Sequence, residues 1–301
     1  MGHGHDHHHH GVTEDTSRRR LVIALAILLA FAVAEVVAGL LAGSVALLTD
    51  AGHMASDAAA LALALVAIGL AARPPRGALT YGMKRAEPAS ALVNGVTLGV
   101  LAIVFIIEAV GRLIDPHDVD ATLVLIVALA GIPVNLAATW VLAGANRDAI
   151  HVEGAFQHVV TDLYAFIATA IAAIVILATG FDRADPIAAL LVAGLMLRAC
   201  WSLLRGSGRI FFEAAPEGLD VAEIGTTLAA QPGVASIHDL HVWELTSGFP
   251  ALSAHIVVGA EEDCHDRRAK LEVILHERFG IDHSTLQVEH EQGLLRIEPT
   301  P

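Results

Sequence analysis

Leu47 to Leu61 reads LLTDAGHMASDAAAL, and the reading of this stretch decides the fold. Asp50, His53 and Asp57 break an otherwise apolar run at separations of three and four residues, so on a helix they form one polar stripe flanked by Ala, Leu and Met. The device recurs about a hundred residues later, in Val152 to Ile167, VEGAFQHVVTDLYAFI, where His158 and Asp162 stand four apart. A single histidine on an apolar face is ordinarily a hydrogen-bonded core residue. Two matching His-x-x-x-Asp pairs, in the spans that hold histidine well inside them, are better explained together. Face to face, the helices offer two imidazole nitrogens and two carboxylate oxygens, a set suited to a tetrahedral borderline cation such as zinc. Asp50, one turn before His53, is expected to orient that imidazole rather than to ligate.

The rest of the composition says what surrounds such a site. Only 17% of the 301 residues are charged and mean hydropathy is +0.62, against about a quarter charged in soluble domains. From Phe211 onward, however, there are five basic and sixteen acidic residues, so the last third is expected to be a soluble, acidic piece. Cys200 and Cys264 are too few and too scattered for a disulfide framework or a thiolate cluster and are read as reduced thiols. The chain opens MGHGHDHHHH, six histidines in ten residues interleaved with Gly and Asp, which reads as a disordered metal-catching tail over residues 1–17. No signal-peptide pattern precedes the first apolar run, which is expected to remain in the mature protein.

Six apolar runs reach spanning length, at about 21–42, 45–72, 88–111, 121–143, 155–179 and 186–204. They predict an all-α bundle of six transmembrane helices over residues 18–208. Arg18, Arg19, Arg20, Arg73, Arg76, Lys84, Arg85, Arg147, Arg205 and Arg209 all fall on one side of it, whereas the other side carries Arg112 and Arg183 among aspartates. The basic side is the cytoplasmic one, so both termini are expected in the cytoplasm. Glu35 and Asn94 lie inside spans and are candidates for lining a cation path or supporting the site, while Glu108 is expected near a helix end. Gly39 with Gly43, and Gly95 with Gly99, are small residues four apart that permit close helix contact.

Residues 209–301 change period and read as a small cytoplasmic α+β domain. Asp220 and Glu223 form a capping box before a helix to about Gln231, followed by strands over Val234–Leu245 and Ala251–Val258. A helix from Glu262 to Phe279 and a strand from Thr285 to His290 complete an αββαβ order. Alternation along the first strand sets His238 and His241 on opposite faces, which makes His238, His255 and His290, one from each strand, the candidates for a second metal site.

These residues resemble the cation diffusion facilitator family of proton-coupled zinc exporters. The likeness is carried by the His-rich start, GSVALLTDAGHMASDAAAL, YGMKRAEPASALVNG, VEGAFQHVVTD and IHDLHVWELTSG, and covers nearly the whole chain. It implies that His53, Asp57, His158 and Asp162 ligate the transported ion, with Zn2+ as cargo and the proton as counter-ion. It further implies a homodimer in the inner (plasma) membrane whose cytoplasmic domains are ferredoxin-like and metallochaperone-like, and Gln292 stands near where some relatives carry an acidic ligand. The expected partners are divalent metal ions, the lipid bilayer and a second copy of the chain, with no nucleic acid. An intramembrane metalloenzyme is disfavoured, because His-Glu-x-x-His is absent and four protein ligands leave no position for water. A membrane-anchored metal sensor would not need ionisable pairs inside two spans, each of which costs several kcal/mol to insert.

Overall fold

The computed structural model describes residues 14–42, 45–115, 120–145 and 150–291, less the side chains at 14–17, 35, 38, 39, 41–42, 45–53, 56, 57 and 151. The His-rich tail, Gly43 and Gln292 lie outside the described residues, as do the side chains of Glu35, Asp50, His53 and Asp57. The chain divides into two compact units, through Gly208 and from Arg209.

The first unit is helical: α1 (Glu14–Ala42), α2 (Val45–Ala71), α3 (Ala86–Ile114), α4 (Ala121–Ala143), α5 (Ile150–Thr179) and α6 (Ala184–Phe211). Among the described residues, Ala86–Ile114, Ala121–Ala143, Val152–Thr179 and Ala184–Phe211 are long and apolar enough to cross a membrane. Their outward faces carry large apolar side chains, with Ile107 68%, Trp140 79% and Leu191 67% exposed, which is the surface a lipid solvent favours. The inward faces are built from small residues instead. On α4 the buried stripe is Ala128, Gly131, Asn135, Ala138 and Leu142, spaced at three and four residues.

In lipid, apolar burial gives little drive for association, so helices gain by close approach. A Cβ on Gly95 would come within 3.1 Å of Leu203 and Leu204, and one on Gly99 within 2.9 Å of the Cys200 sulfur, so α3 and α6 use this glycine pair as expected. Glu108 is indeed near a helix end: it pairs with Arg112, whose guanidinium also reaches Asp185 at 3.5 Å. Leu21, Leu28, Met54, Leu61, Leu142 and Val159 belong to one core drawn from α1, α2, α4 and α5.

The second unit has α7 (Val221–Ala229), β1 (Val234–Glu244), β2 (Pro250–Val258), α8 (Cys264–Phe279) and β3 (His283–His290), the order expected. Its sheet runs β1-β2-β3, antiparallel across the first pair and parallel across the second, with α8 as the crossover. Leu252, Ala254, Ile256 and Val258 alternate along β2 and pack on Ile224, Leu228, Leu271 and Leu275 of the two helices. That leaves Ser253, His255 and Val257 on the open face. The capping box is only half made. The Asp220 carboxylate accepts from the amides of Ala222 (2.8 Å) and Glu223 (3.4 Å), but Glu223 pairs with Arg278 of α8 at 2.7 Å. At the start of α8 the amides of Asp266 and His265 donate to Asp263 and hold its carboxyl below the usual carboxylate range.

Candidate metal centres

On α5, His158 and Asp162 are 3% and 7% exposed, with Nε2 and Oδ2 3.8 Å apart. A bulky neighbour would prevent this burial, and the sequence supplies small ones. Ala155 and Val159 flank His158 in the core, and a Cβ on Gly154 would meet Leu203 at 3.1 Å and the Asn94 amide nitrogen at 3.9 Å. Asn94 is itself 4% exposed, so α3 brings it against α5 one turn before His158. The polar ladder continues below: Thr161 donates to the Gln157 carbonyl at 2.8 Å and Gln157 donates to the Glu153 carboxylate at 2.8 Å.

Helix α2, which carries Asp50, His53 and Asp57, packs on α5 directly. Its described neighbours of those positions, Met54 and Ala58, are 1% and 3% exposed. A cavity of about 330 Å³ opens beside Asp162, walled by Phe105, Ala128, Phe166, Thr169 and Val192. Its lining is apolar apart from Asp162 and Thr169.

In the second unit the structure assembles a cluster on the open sheet face from His238, His255 and Glu289, with ligand atoms all within 4.8 Å of one another. The Glu289 carboxylate lies 3.8 Å from His238 Nε2 and 3.8 Å from His255 Nδ1, and the two imidazoles stack with centroids 5.0 Å apart. Tetrahedral ligands about 2.0–2.1 Å from a zinc ion sit roughly 3.3 Å from each other, so the set would have to draw in by about 0.5 Å across each carboxylate–imidazole pair, and by up to about 1.5 Å between the imidazoles, to close on a cation.

His290 is not in that cluster. In the parallel register Val257 faces Glu289 and Val258 faces His290, so His290 belongs to the helix-bearing face, where its Nε2 is 2.9 Å from the Glu262 carbonyl and 3.7 Å from the Cys264 sulfur. The parity that separates residues 289 and 290 could have been read from the sequence once the β2–β3 register was known.

His241 also departs from expectation. His238 pairs with His255 and His241 with Ser253, so β1 holds one extra residue there and both histidines share the open face. Asp239 makes the bulge, in a left-handed conformation at φ 55 that aspartate tolerates better than most residues, and accepts from His241 at 2.9 Å. Asn135, fully buried in α4, is a polar position that the reading of the spans passed over.

Residues 21–212 match the model of the cation efflux transmembrane domain, and residues 216–291 that of the cation efflux protein cytoplasmic domain. The chain is 36% identical to a cadmium, cobalt and zinc/H(+)-K(+) antiporter of Bacillus subtilis, over 97% of this chain and 93% of that one. It is 37% identical to the zinc transporter ZitB of Escherichia coli, over 97% and 93% of the two chains. The metal cation efflux system protein CzcD of Cupriavidus metallidurans shares 38% identity over 96% of this chain and 90% of its own. A solved structure described as the metal-bound C-terminal domain of the CzcD transporter covers 24% of this chain and 99% of its own at 39% identity, with a TM-score of 0.23.

Proposed function

Because the chain belongs to the cation efflux family, as a multi-pass membrane protein with a cytoplasmic domain, we propose that it exports a divalent cation, zinc first, by proton antiport. It is a transporter and not an enzyme. The ion is held in transit by His53 and Asp57 of α2 with His158 and Asp162 of α5, and α1 and α2 join the four apolar helices to make six spans with both termini cytoplasmic. The observation that carries this reading is the buried His158–Asp162 pair, 3.8 Å apart in a membrane-length helix that packs on the helix carrying the matching pair. Metal flux in proteoliposomes under an imposed pH gradient, over a panel of divalent cations, tests it.

Each part of the site has one task. A neutral imidazole and an ionised carboxylate ligate the cation, and protonation of either weakens it, so metal and proton compete for the same atoms. Asp50 orients His53, and Asn94 and Glu35 support the site or the path to it. Four ligands from the protein compensate the water the ion sheds on entry, and apolar walls keep other water out.

The cytoplasmic domain dimerises, with a ferredoxin-like arrangement of its αββαβ order, and senses metal at a regulatory site. His238 and His255 of the expected set remain its candidates, joined by Glu289; His290 is placed to hold the edge of β3 instead. Replacing His238, His255 and Glu289 together by alanine is expected to remove one metal from the full-length protein and raise the metal concentration that activates transport, whereas His290→Ala alone leaves both near normal. Calorimetry with zinc checks this, and a His290→Ala variant that loses the metal would restore the original triad.

The His-rich tail adds local metal and completes no site. Deleting residues 2–10 is expected to leave maximal flux within about twofold and to weaken the response only at low metal, since metal gathered by the tail's histidines changes local concentration and not the bilayer site. Flux assays across a zinc titration decide, and complete loss on deletion would contradict the assignment.

A further inference from the structure

Asn135 lies in the middle of α4 with no exposed surface, on the stripe that runs Ala128, Gly131, Asn135 and Ala138. Its amide nitrogen donates to the Gly131 carbonyl at 3.2 Å, which fixes which end of the side chain points away. The Oδ1 atom at that end has no hydrogen-bond partner among the described residues. Leaving a carbonyl oxygen buried and unsatisfied in hydrocarbon is costly, and an apolar residue of the same size would avoid the cost. The position therefore calls for a ligand.

The packing of α4 on α5 says which one. Gly131 abuts the Phe166 ring so closely that a Cβ there would overlap it. The two helices follow one another and pack together, so they run antiparallel, and a step of one turn along α4 from Gly131 matches a step of one turn back along α5 from Phe166. That register puts Asn135 at the level of Asp162. It also pairs Ala128 with Thr169, and both of these line the cavity that opens beside Asp162. Asn135 is thus level with Asp162, the residue that belongs both to the cavity's lining and to the proposed ion site, while it is itself buried behind that lining.

We propose that Asn135 Oδ1 is an additional oxygen ligand for the partly dehydrated divalent cation on its way between the His-Asp set and the cavity. The inference rests on the transport reading above. An amide oxygen is neutral and binds more weakly than a carboxylate, so it can take over one coordination position without trapping the ion, and it keeps this capacity at any pH because it does not titrate.

The test uses the full-length protein in proteoliposomes, with KM and maximal flux measured for zinc and for manganese. Asn135→Asp keeps an oxygen and adds charge, and is expected to improve manganese KM relative to zinc about tenfold, because harder cations gain more from oxygen anions. Asn135→Leu removes the oxygen at similar volume, and is expected to raise zinc KM about tenfold, comparable with losing a group that supports a metal site. Should one variant fail to fold, the other decides. A manganese-to-zinc KM ratio unchanged in Asn135→Asp, or a normal zinc KM in Asn135→Leu, would make Asn135 a packing residue whose amide merely holds the Gly131 carbonyl. Asp162→Ala is run beside them: if it transports normally, the transport site itself is misplaced and this ligand falls with it, whereas an inactive Asp162→Ala beside silent Asn135 variants overturns the Asn135 assignment alone.

Discussion

Alanine at any one of His53, Asp57, His158 or Asp162 is expected to lower zinc flux by roughly 100-fold or more, with the protein still reaching the membrane and eluting as a single species. The loss should exceed the 10- to 100-fold usual for groups that only support a metal site, because in the proposed site a missing ligand would leave a three-coordinate ion in a place without water to replace it. Survival of the fold follows from the packing. Val152, Ala155 and Val159 carry α5 against the core and are untouched by these changes. Truncating His158 or Asp162 leaves the other member of a buried pair without it, which is a real cost, so Asp162→Asn, equal in volume and uncharged, is the companion variant. Both should be inactive. Radioactive zinc uptake into vesicles measures the outcome, and near-normal flux in Asp162→Ala with matched protein amounts would take the residue out of the site.

The sequence reveals the parts of this molecule that depend on period and length. Among the described residues four of the six expected runs form helices apolar for long enough to span, and the αββαβ order follows from the switch of hydrophobic repeat after Phe211. What it hides depends on register. The bulge at Asp239 brings His238 and His241 to one face because a single residue in a left-handed conformation resets the alternation, and no composition signal marks it. The choice of Glu289 over His290 turns on which residue of β3 faces Val257, a long-range pairing. Glu223 forsakes the capping box for Arg278, 55 positions away, for the same reason. Asn135 differs in kind: a polar residue inside an apolar span is visible to inspection, but only the position of Gly131 against Phe166 gives it a neighbourhood.

In vesicles with the cytoplasmic face outward, an acidic lumen is expected to accelerate zinc uptake, and the uptake is expected to raise lumenal pH. The direction follows from the proposed competition: lumenal protons would displace zinc from imidazole and carboxylate on the lumenal side, and the protonated site would then return its proton to the outer, more alkaline medium. Histidine's ordinary pKa of about 6.5 puts that exchange within the range both compartments reach. The energetics decide how much the gradient is needed. With the cell interior negative, expelling a doubly charged ion costs roughly 4.6 kcal/mol per 100 mV and one entering proton returns about 2.3. A one-for-one exchange therefore remains opposed by voltage, and each pH unit supplies about 1.4 kcal/mol per proton. One-for-one transport then needs a proton gradient of more than one unit, or a zinc gradient, at 100 mV, whereas a second proton would make the exchange electroneutral. Zinc flux measured with a lumenal pH dye, with and without a clamped voltage, separates the two stoichiometries. His53→Asp exchanges a nitrogen ligand for an oxygen and should shift preference toward harder ions such as manganese. It also replaces a group that ordinarily titrates near neutrality by a carboxyl that ordinarily titrates about two and a half units lower, so its flux should respond less to the lumenal proton over the range of about pH 6 to 8. Zinc flux indifferent to the pH gradient in both the parent protein and His53→Asp would remove the proton from the cycle and leave a metal pathway driven by the metal's own gradient.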